Sequence, residues 1–266
     1  MTSDNLVAEF EMFRGELKSF LLRMTASVQD AEDIVQETYI KAAAKLDSFR
    51  GESSLKTWVF AIASNLARDL LRAKKRWPEN VTDICKEAAL GNPHFFEEAM
   101  QIRQTSPQGH FELKEHVAFC FTCVAKSLPL EQQLTLLLRE VYGFKIKEIA
   151  QIMAQTEAIV KYYLRVGRGK MIDIFDHRCS LITKQGICHQ CTELNGIFNP
   201  KQDAQEALVQ IQMVRDAANE DKEALFDLRL KILQELDPFE SGAAVLQLHH
   251  LEHNRQVMAA YLQEDS

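Results

Sequence analysis

Residues Leu128–Met171 read LPLEQQLTLLLREVYGFKIKEIAQIMAQTEAIVKYYLRVGRGKM, and three helical periodicities follow one another in them. Leu134, Leu137, Leu138 and Val141 fall at i, i+3, i+4 and i+7, which is one face of a helix. Tyr142-Gly143-Phe144 breaks that run, and Gly143 supplies the backbone freedom of a tight turn between helices. Ile146, Ile149, Ala150 and Met153 restart the spacing. Thr156 then stands where it can N-cap a third helix, from Glu157 to about Met171. On that helix Val160, Tyr163, Leu164 and Gly167 share the inward face, while Lys161, Arg165 and Arg168 recur along the outer one. Two short helices, a tight turn and a helix with a basic outer stripe describe a helix-turn-helix that reads duplex DNA. A charged stripe alone is the ordinary solvated face of a helix. The turn spacing and the helix before it favour the DNA reader.

The rest of the chain shares this helical character. Ten Gly and six Pro in 266 residues are few, and apolar residues recur at helical spacing throughout, so the expected fold class is all-α with more than one small domain. No apolar run approaches the ~20 residues of a membrane span. The N-terminus, MTSDNLVAEF, lacks the charged-then-apolar pattern of a signal peptide, so a cytoplasmic protein with no membrane partner is expected. A formal charge of −7 argues against holding DNA by bulk electrostatics, and suits a subunit with local basic patches that borrows affinity from a larger partner.

Residues 5–76 read as an N-terminal helical domain. Phe10, Phe13, Leu17, Phe20 and Leu21 make one core stripe. Asp30 is placed to N-cap a second helix, with Val35, Tyr39 and Ala42 packing inward and Asp30, Asp33, Gln36 and Glu37 on a polar face. By itself that face is a well-capped surface helix. A loop from Phe49 to Trp58 leads into a third helix with Val59, Ile62, Ala63, Leu66 and Leu70 as its expected buried stripe. Trp58, Asn65, Asp69 and Arg72 lie on another face, which runs into Lys74-Lys75-Arg76. An aromatic ring, an amide and cations together can stack an unpaired base, read its edges and hold phosphate.

The ordered run Asp30 to Tyr39, then Phe49-Arg50-Gly51, Ser53-Ser54 and Thr57-Trp58-Val59, then Ile62-Ala63 with Asn65, Ala67, Asp69, Leu71 and Arg72, resembles region 2 of bacterial sigma factors of the extracytoplasmic-function (ECF) group. Gly143-Phe144, Glu148-Ile149-Ala150 and Ile159-Val160-Lys161 with Leu164, Arg165 and Arg168 resemble region 4 of the same group. The chain departs at Ala154, where Gly is usual, and at Gly167, where Ala is usual. The resemblance implies a protein that performs no bond chemistry. It implies that Asp30, Asp33, Gln36 and Glu37 dock on the β′ clamp helices of core RNA polymerase, with region 4 on the β flap. Arg50, Ser53, Lys56, Trp58, Asn65, Asp69 and Arg72 would capture bases of the melted −10 element, beside the basic Lys75 and Arg76. Thr156, Lys161, Arg165 and Arg168 would meet the −35 element of promoter DNA. An anti-sigma factor, or the chain's own C-terminal tail, would be the regulator.

Residues 77–112, punctuated by Pro78, Gly91-Asn92-Pro93 and Pro107, read as a linker with one short helix near 95–104, and residues 113–178 as the region 4-like domain. Residues 179–198 are a cysteine-rich segment. The pairs Cys120/Cys123 and Cys188/Cys191, with His116 and Cys179 as alternates, have the C-x-x-C spacing of a structural Zn²⁺ site. A reversible dithiol switch and unreactive buried thiols stand beside that reading. His116-x-x-x-Cys120-x-x-Cys123 also resembles the motif of zinc-binding anti-sigma factors. Residues 199–266 form an amphipathic extension, with Leu225, Leu228, Ile232 and Leu236 on one stripe and a last helix from about Gly242 to Leu262. It is either a self-packed appendage or an arm over a DNA- or polymerase-binding face. His249-His250-Leu251-Glu252-His253 fits the inverted zinc-peptidase signature, the reading least in keeping with the rest. A helix-turn-helix regulator that never acts as a sigma subunit is the other alternative.

Overall fold

Ala26 turns left-handed at φ 57° and ends the first helix, which leaves Ser27 extended with its hydroxyl accepting from the Asp30 amide at 3.1 Å. The second helix therefore starts at Val28, and Ser27 rather than Asp30 is its cap; Asp30 sits in the first turn. In the computed structural model, which describes residues 3–105, 113–178, 221–240 and 244–264, the described residues form helices and turns with no strand. The helices are α1 Ser3–Thr25, α2 Val28–Ala44, α3 Leu55–Arg72, α4 Val81–Leu90, α5 Pro93–Thr105, α6 Leu113–Ala125, α7 Leu130–Leu136, α8 Ile146–Met153, α9 Glu157–Arg178, α10 Lys222–Glu235 and α11 Ala244–Glu264. The protein is all-α. It divides into two units, Met1–Arg76 with Leu128–Arg168, and Trp77–Ser127 with Gly169–Ser266.

The first unit is built on an aromatic core. Phe10, Phe13, Leu17, Phe20 and Leu21 of α1 are all buried, and Phe60 of α3 meets Phe13, Phe20 and Phe144 with ring centres 6.3, 5.3 and 4.8 Å away. Such tilted ring pairs are favourable beyond the area they bury. Val59 and Ala63 of the expected stripe are buried on α3, together with Phe60, Ser64, Ala67 and Leu71, while Ile62, Leu66 and Leu70 stay half-exposed. The reason is that α3 is packed from two sides, by α1 and α2 and by α8, so its deepest line falls between them.

The helix-turn-helix follows its sequence closely. α7 widens into a π-helical turn, Leu137–Val141, and Gly143 at φ 70° redirects the chain. Glu148 accepts from the Lys145 amide at 2.7 Å to start α8. Thr156 Oγ1 accepts from the Ile159 amide at 3.3 Å, capping α9, and Val160 is fully buried. Tyr142 ties this element to α1: its ring meets Phe20 edge-on at 5.5 Å, and its hydroxyl accepts from Arg23 Nε at 3.3 Å and lies 3.1 Å from Ser19 Oγ.

The second unit gathers helices far apart in sequence. The stretch read as a linker carries both α4 and α5, and these pack with α6 and α11. α4 escaped a sequence reading because its buried residues, Val81, Thr82, Cys85 and Ala89, are small and partly polar. α10 is capped by Asp221, which accepts from the Ala224 amide at 2.9 Å, and its Phe226 lies 6.1 Å from Phe121 of α6. The Arg229 guanidinium stacks 4.4 Å from the Phe175 ring centre. Leu225, Leu228 and Ile232 are buried along α10, in line with the stripe read for the extension.

Candidate nucleic-acid and polymerase interfaces

The loop before α3 is shaped by Gly51 at φ 71° and by Ser54, whose hydroxyl accepts from the Thr57 amide at 3.0 Å and starts the helix. Between them the loop opens a cleft of about 250 Å³ lined by Phe49, Arg50, Ser53, Thr57 and Trp58, with Gln151 of α8 at its edge. Phe49 and Trp58 face each other at 5.2 Å, an aromatic wall on which a base can stack. Arg50 is exposed, and Ser53 and Trp58 are half-exposed. Lys56 is engaged: its ammonium pairs with Glu16 at 2.6 Å and sits 5.1 Å from the Phe144 ring centre. On α3, Asn65, Asp69 and Arg72 are exposed along one face, with Arg68 donating to Asn65 at 3.4 Å and Arg72 to Asp69 at 3.3 Å.

The basic cluster beyond α3 divides by role. Lys75 is exposed, and Lys74 pairs with Asp30 at 3.1 Å. Arg76 donates through Nε to the Leu128 carbonyl at 2.6 Å and through Nη2 to Gln133. Burial brings its guanidinium down to about 10, with Glu131 opposing the shift. Arg76 thus pins α7 to the end of α3 rather than standing open to phosphate.

On α9 the three cations are not equivalent. Lys161 and Arg165 are exposed. Arg168, only 23% exposed at its side chain, pairs with Glu140 at 3.7 Å. A Cβ added at Gly167 would stand 3.2 Å from Cβ of Gln132, so the small residue there accommodates the approach of α7.

On α2, Asp33, Gln36 and Glu37 are exposed, with Asp33 accepting from Gln29 at 2.9 Å and Glu37 pairing with Lys41 at 3.4 Å. Asp30 is more covered, held by Lys74. Beside this face a groove of about 510 Å³ runs between α1 and α2, with Phe10, Val35 and Tyr39 in its floor and Glu11, Arg14, Lys18, Glu32 and Gln36 around it. Lys18 and Glu32 bridge it at 2.8 Å. Sequence reading assigned Phe10 and Val35 to the core and missed the groove. Its signal was an apolar residue off the core stripes: Val7, which lines the groove, is 44% exposed.

Of the cysteine tetrad, Cys188 and Cys191 lie outside the described residues, as does the alternate Cys179. Cys120 is half-buried on α6, the helix that also carries His116. Cys123 is fully buried and accepts from Asn254 Nδ2 of α11 at 3.6 Å; burial pushes its thiol up to about 12, against that bond and Lys126. Cys85 is buried too, 3.9 Å from the Asn254 carbonyl, and burial raises its thiol as well. Among the described residues no three metal-ligating side chains come together. His249 and His253 both stack on Phe95, with ring centres 5.0 and 4.0 Å away, and the Glu252 carboxylate is held by Arg255 and Gln256. That arrangement packs α11 on α5 and does not favour the peptidase alternative. No described helix is long and apolar enough to cross a membrane.

Comparison with known proteins matches the Sigma-70 region 2 family to residues 10–77 and the Sigma-70, region 4 family to residues 118–171. The ECF RNA polymerase sigma factor SigG of Mycobacterium tuberculosis is 30% identical over 180 residues, covering 62% of this chain and 47% of that protein. The ECF RNA polymerase sigma-E factor of Escherichia coli is 36% identical over 124 residues, covering 47% of this chain and 62% of that protein. This chain therefore spans less than two thirds of either relative. A solved structure, the sigma factor RpoE in complex with the anti-sigma factor NepR from Bartonella quintana, aligns with TM-score 0.42 and 19% identity, covering 65% of this chain and 97% of that one. Sigma-70 regions 2 and 4 are thus both present in this chain and in order, and over them the chain is similar to RNA polymerase sigma factors of the ECF group.

Proposed function

We propose that this chain is a sigma subunit that binds core RNA polymerase in the bacterial cytoplasm, recognises a promoter through two readers and helps open the duplex. The cleft of the α2–α3 loop carries the reading: an aromatic wall of Phe49 and Trp58 beside Arg50 and Ser53 suits an unstacked base. The exposed face of α3 continues it with Asn65, Asp69 and Arg72. The exposed acids of α2 and the apolar-floored groove beside them suit a partner that brings cations and an apolar helix face, which is the role assigned to the polymerase clamp. Anti-sigma control through the same groove belongs to this proposal. A structural zinc site at Cys120, Cys123, Cys188 and Cys191 is a separate proposal: Cys123 is buried against Asn254, and Cys188 and Cys191 lie outside the described residues.

Run-off transcription with purified core polymerase on a promoter library tests the proposal. The full chain is expected to direct transcripts from a selected sequence class. Trp58→Ala, which removes the stacking wall, is expected to lower open-complex formation about five-fold or more on the same templates, at about 1–3 kcal/mol per stacked base. Transcripts from no template, or DNA binding that ignores core polymerase, would sink the sigma reading; the second result would leave a helix-turn-helix regulator.

A further inference from the structure

α9 carries more than its cations on the exposed side. Ile159 and Tyr162, at i and i+3 in its first two turns, are 36% and 53% exposed. They lie among Lys161 and Arg165, and the Arg165 guanidinium rests 5.9 Å from the Tyr162 ring centre. Arg168, two turns further on, is committed to Glu140. In a helix-turn-helix the N-terminal residues of the second helix meet base edges, and later residues pass along the backbone. Beside Thr156, Glu157, Ala158 and Lys161, the exposed side chains where bases are read therefore include one branched aliphatic, one aromatic with a hydroxyl and one arginine leaning on that ring.

We infer that Ile159 and Tyr162 determine which bases this chain selects at its upstream promoter element, and that Ile159 selects a thymine by packing on its 5-methyl group. The inference rests on the sigma reading. Apolar contact with the thymine methyl is a recognised mode of major-groove readout, and no other base offers that group. Tyr162 acts in two ways. Its hydroxyl meets a neighbouring base edge, and its ring holds the Arg165 fork in place through a cation–π contact. An arginine so held loses less side-chain freedom when it pairs with a guanine. Lys161, a compact charge on a flexible stem, neutralises phosphate and carries no base preference. The charge stripe that marks this helix in the sequence thus supplies affinity, and the two residues between the charges supply the choice.

Duplex selection by the full chain with core polymerase, followed by deoxyuridine substitution, tests this. Deoxyuridine keeps every hydrogen-bonding group of thymidine and lacks only the methyl. One thymine of the selected upstream element is expected to lose about four-fold in affinity on this substitution, the factor that burying one methyl group gives. Ile159→Ala is expected to bind thymine and uracil equally at that position while still selecting the other bases. Tyr162→Ala is expected to relax the choice at an adjacent position, with a smaller change in salt dependence than Lys161→Ala. Both residues are exposed, so unchanged helical content and melting of the variants check that folding is not the cause. If the parent selects a sequence and neither variant alters any base preference, or no thymine shows uracil sensitivity, the inference is overturned and the sigma reading stands. If the parent selects nothing, both fall.

Discussion

Ala154 ends α8 in the left-handed region at φ 52°, where an alanine Cβ crowds the following carbonyl. Glycine, the family's usual residue there, adopts that conformation without the clash. Ala154→Gly is therefore expected to stabilise the protein by about 0.5–1 kcal/mol after the loss of unfolded-state restriction, read from urea midpoints. Ala154 is exposed, so DNA binding is expected to stay as it is. His253 gives the opposite kind of residue effect. Burial first, and His249 second, lower its proton affinity below the ordinary histidine value of 6.5, against a hydrogen bond with the Cys85 backbone. The unfolded chain then takes up the proton at a higher pH than the folded one. Its contribution to stability is complete above about 6.5 and falls as the pH drops through the window between that value and the lower folded one. Thermal melts from pH 8 to pH 5 are expected to show this decline, and His253→Phe, which keeps the ring stack on Phe95, is expected to make it shallower.

At the scale of elements, the seam between α7 and the end of α1 depends on Gln133. Fully buried, it donates through Nε2 to the carbonyls of Arg23 at 3.1 Å and Met24 at 3.4 Å, and accepts from Arg76. Gln133→Leu keeps the volume and removes all three bonds, with an expected cost of about 2–3 kcal/mol in urea unfolding. Faster amide exchange is expected in α7 and the last turn of α1, because the loss is local. Gln133 also shows what the sequence hides. It lies in a leucine-rich helix and reads as a surface amide, and only the approach of two carbonyls and a guanidinium from other helices gives it a buried role. The helices themselves were legible because their caps and turns are local: Thr156, Gly143 and Glu148 act within a few residues of where they stand. The face of α3 was legible at Val59 and Ala63 but misread at Ile62, Leu66 and Leu70, because its burial is decided by two neighbours at once. The same holds for Arg76 and Arg168, whose charge is plain in the sequence and whose partners, Gln133 and Glu140, are not.

The whole molecule adds one lesson about the tail and one about reach. α10 and α11 cover α6, α4 and α5, so a chain ending at residue 198 loses the cover of Phe95, Phe121, Cys85 and Cys123. Such a truncation is expected to bind a hydrophobic dye and to lose helical signal beyond the deleted helices, whereas a merely appended tail would leave both unchanged. The motif positions of regions 2 and 4 were readable from their order alone, but the union of linker and tail was not, since it joins residues over a hundred positions apart, Cys85 to Asn254 and Phe95 to His249 and His253. The clasp of Phe144 on Phe60 sets a further demand. Elements named for positions −10 and −35 lie about 25 base pairs apart, or about 85 Å at about 3.4 Å per step. A folded unit of the first unit's size has a radius of gyration on the order of 13 Å. A calliper closed that far cannot touch both marks on one ruler, so the proposed reading of a promoter would require α8 and α3 to part, with the proposed polymerase partner holding the jaws open.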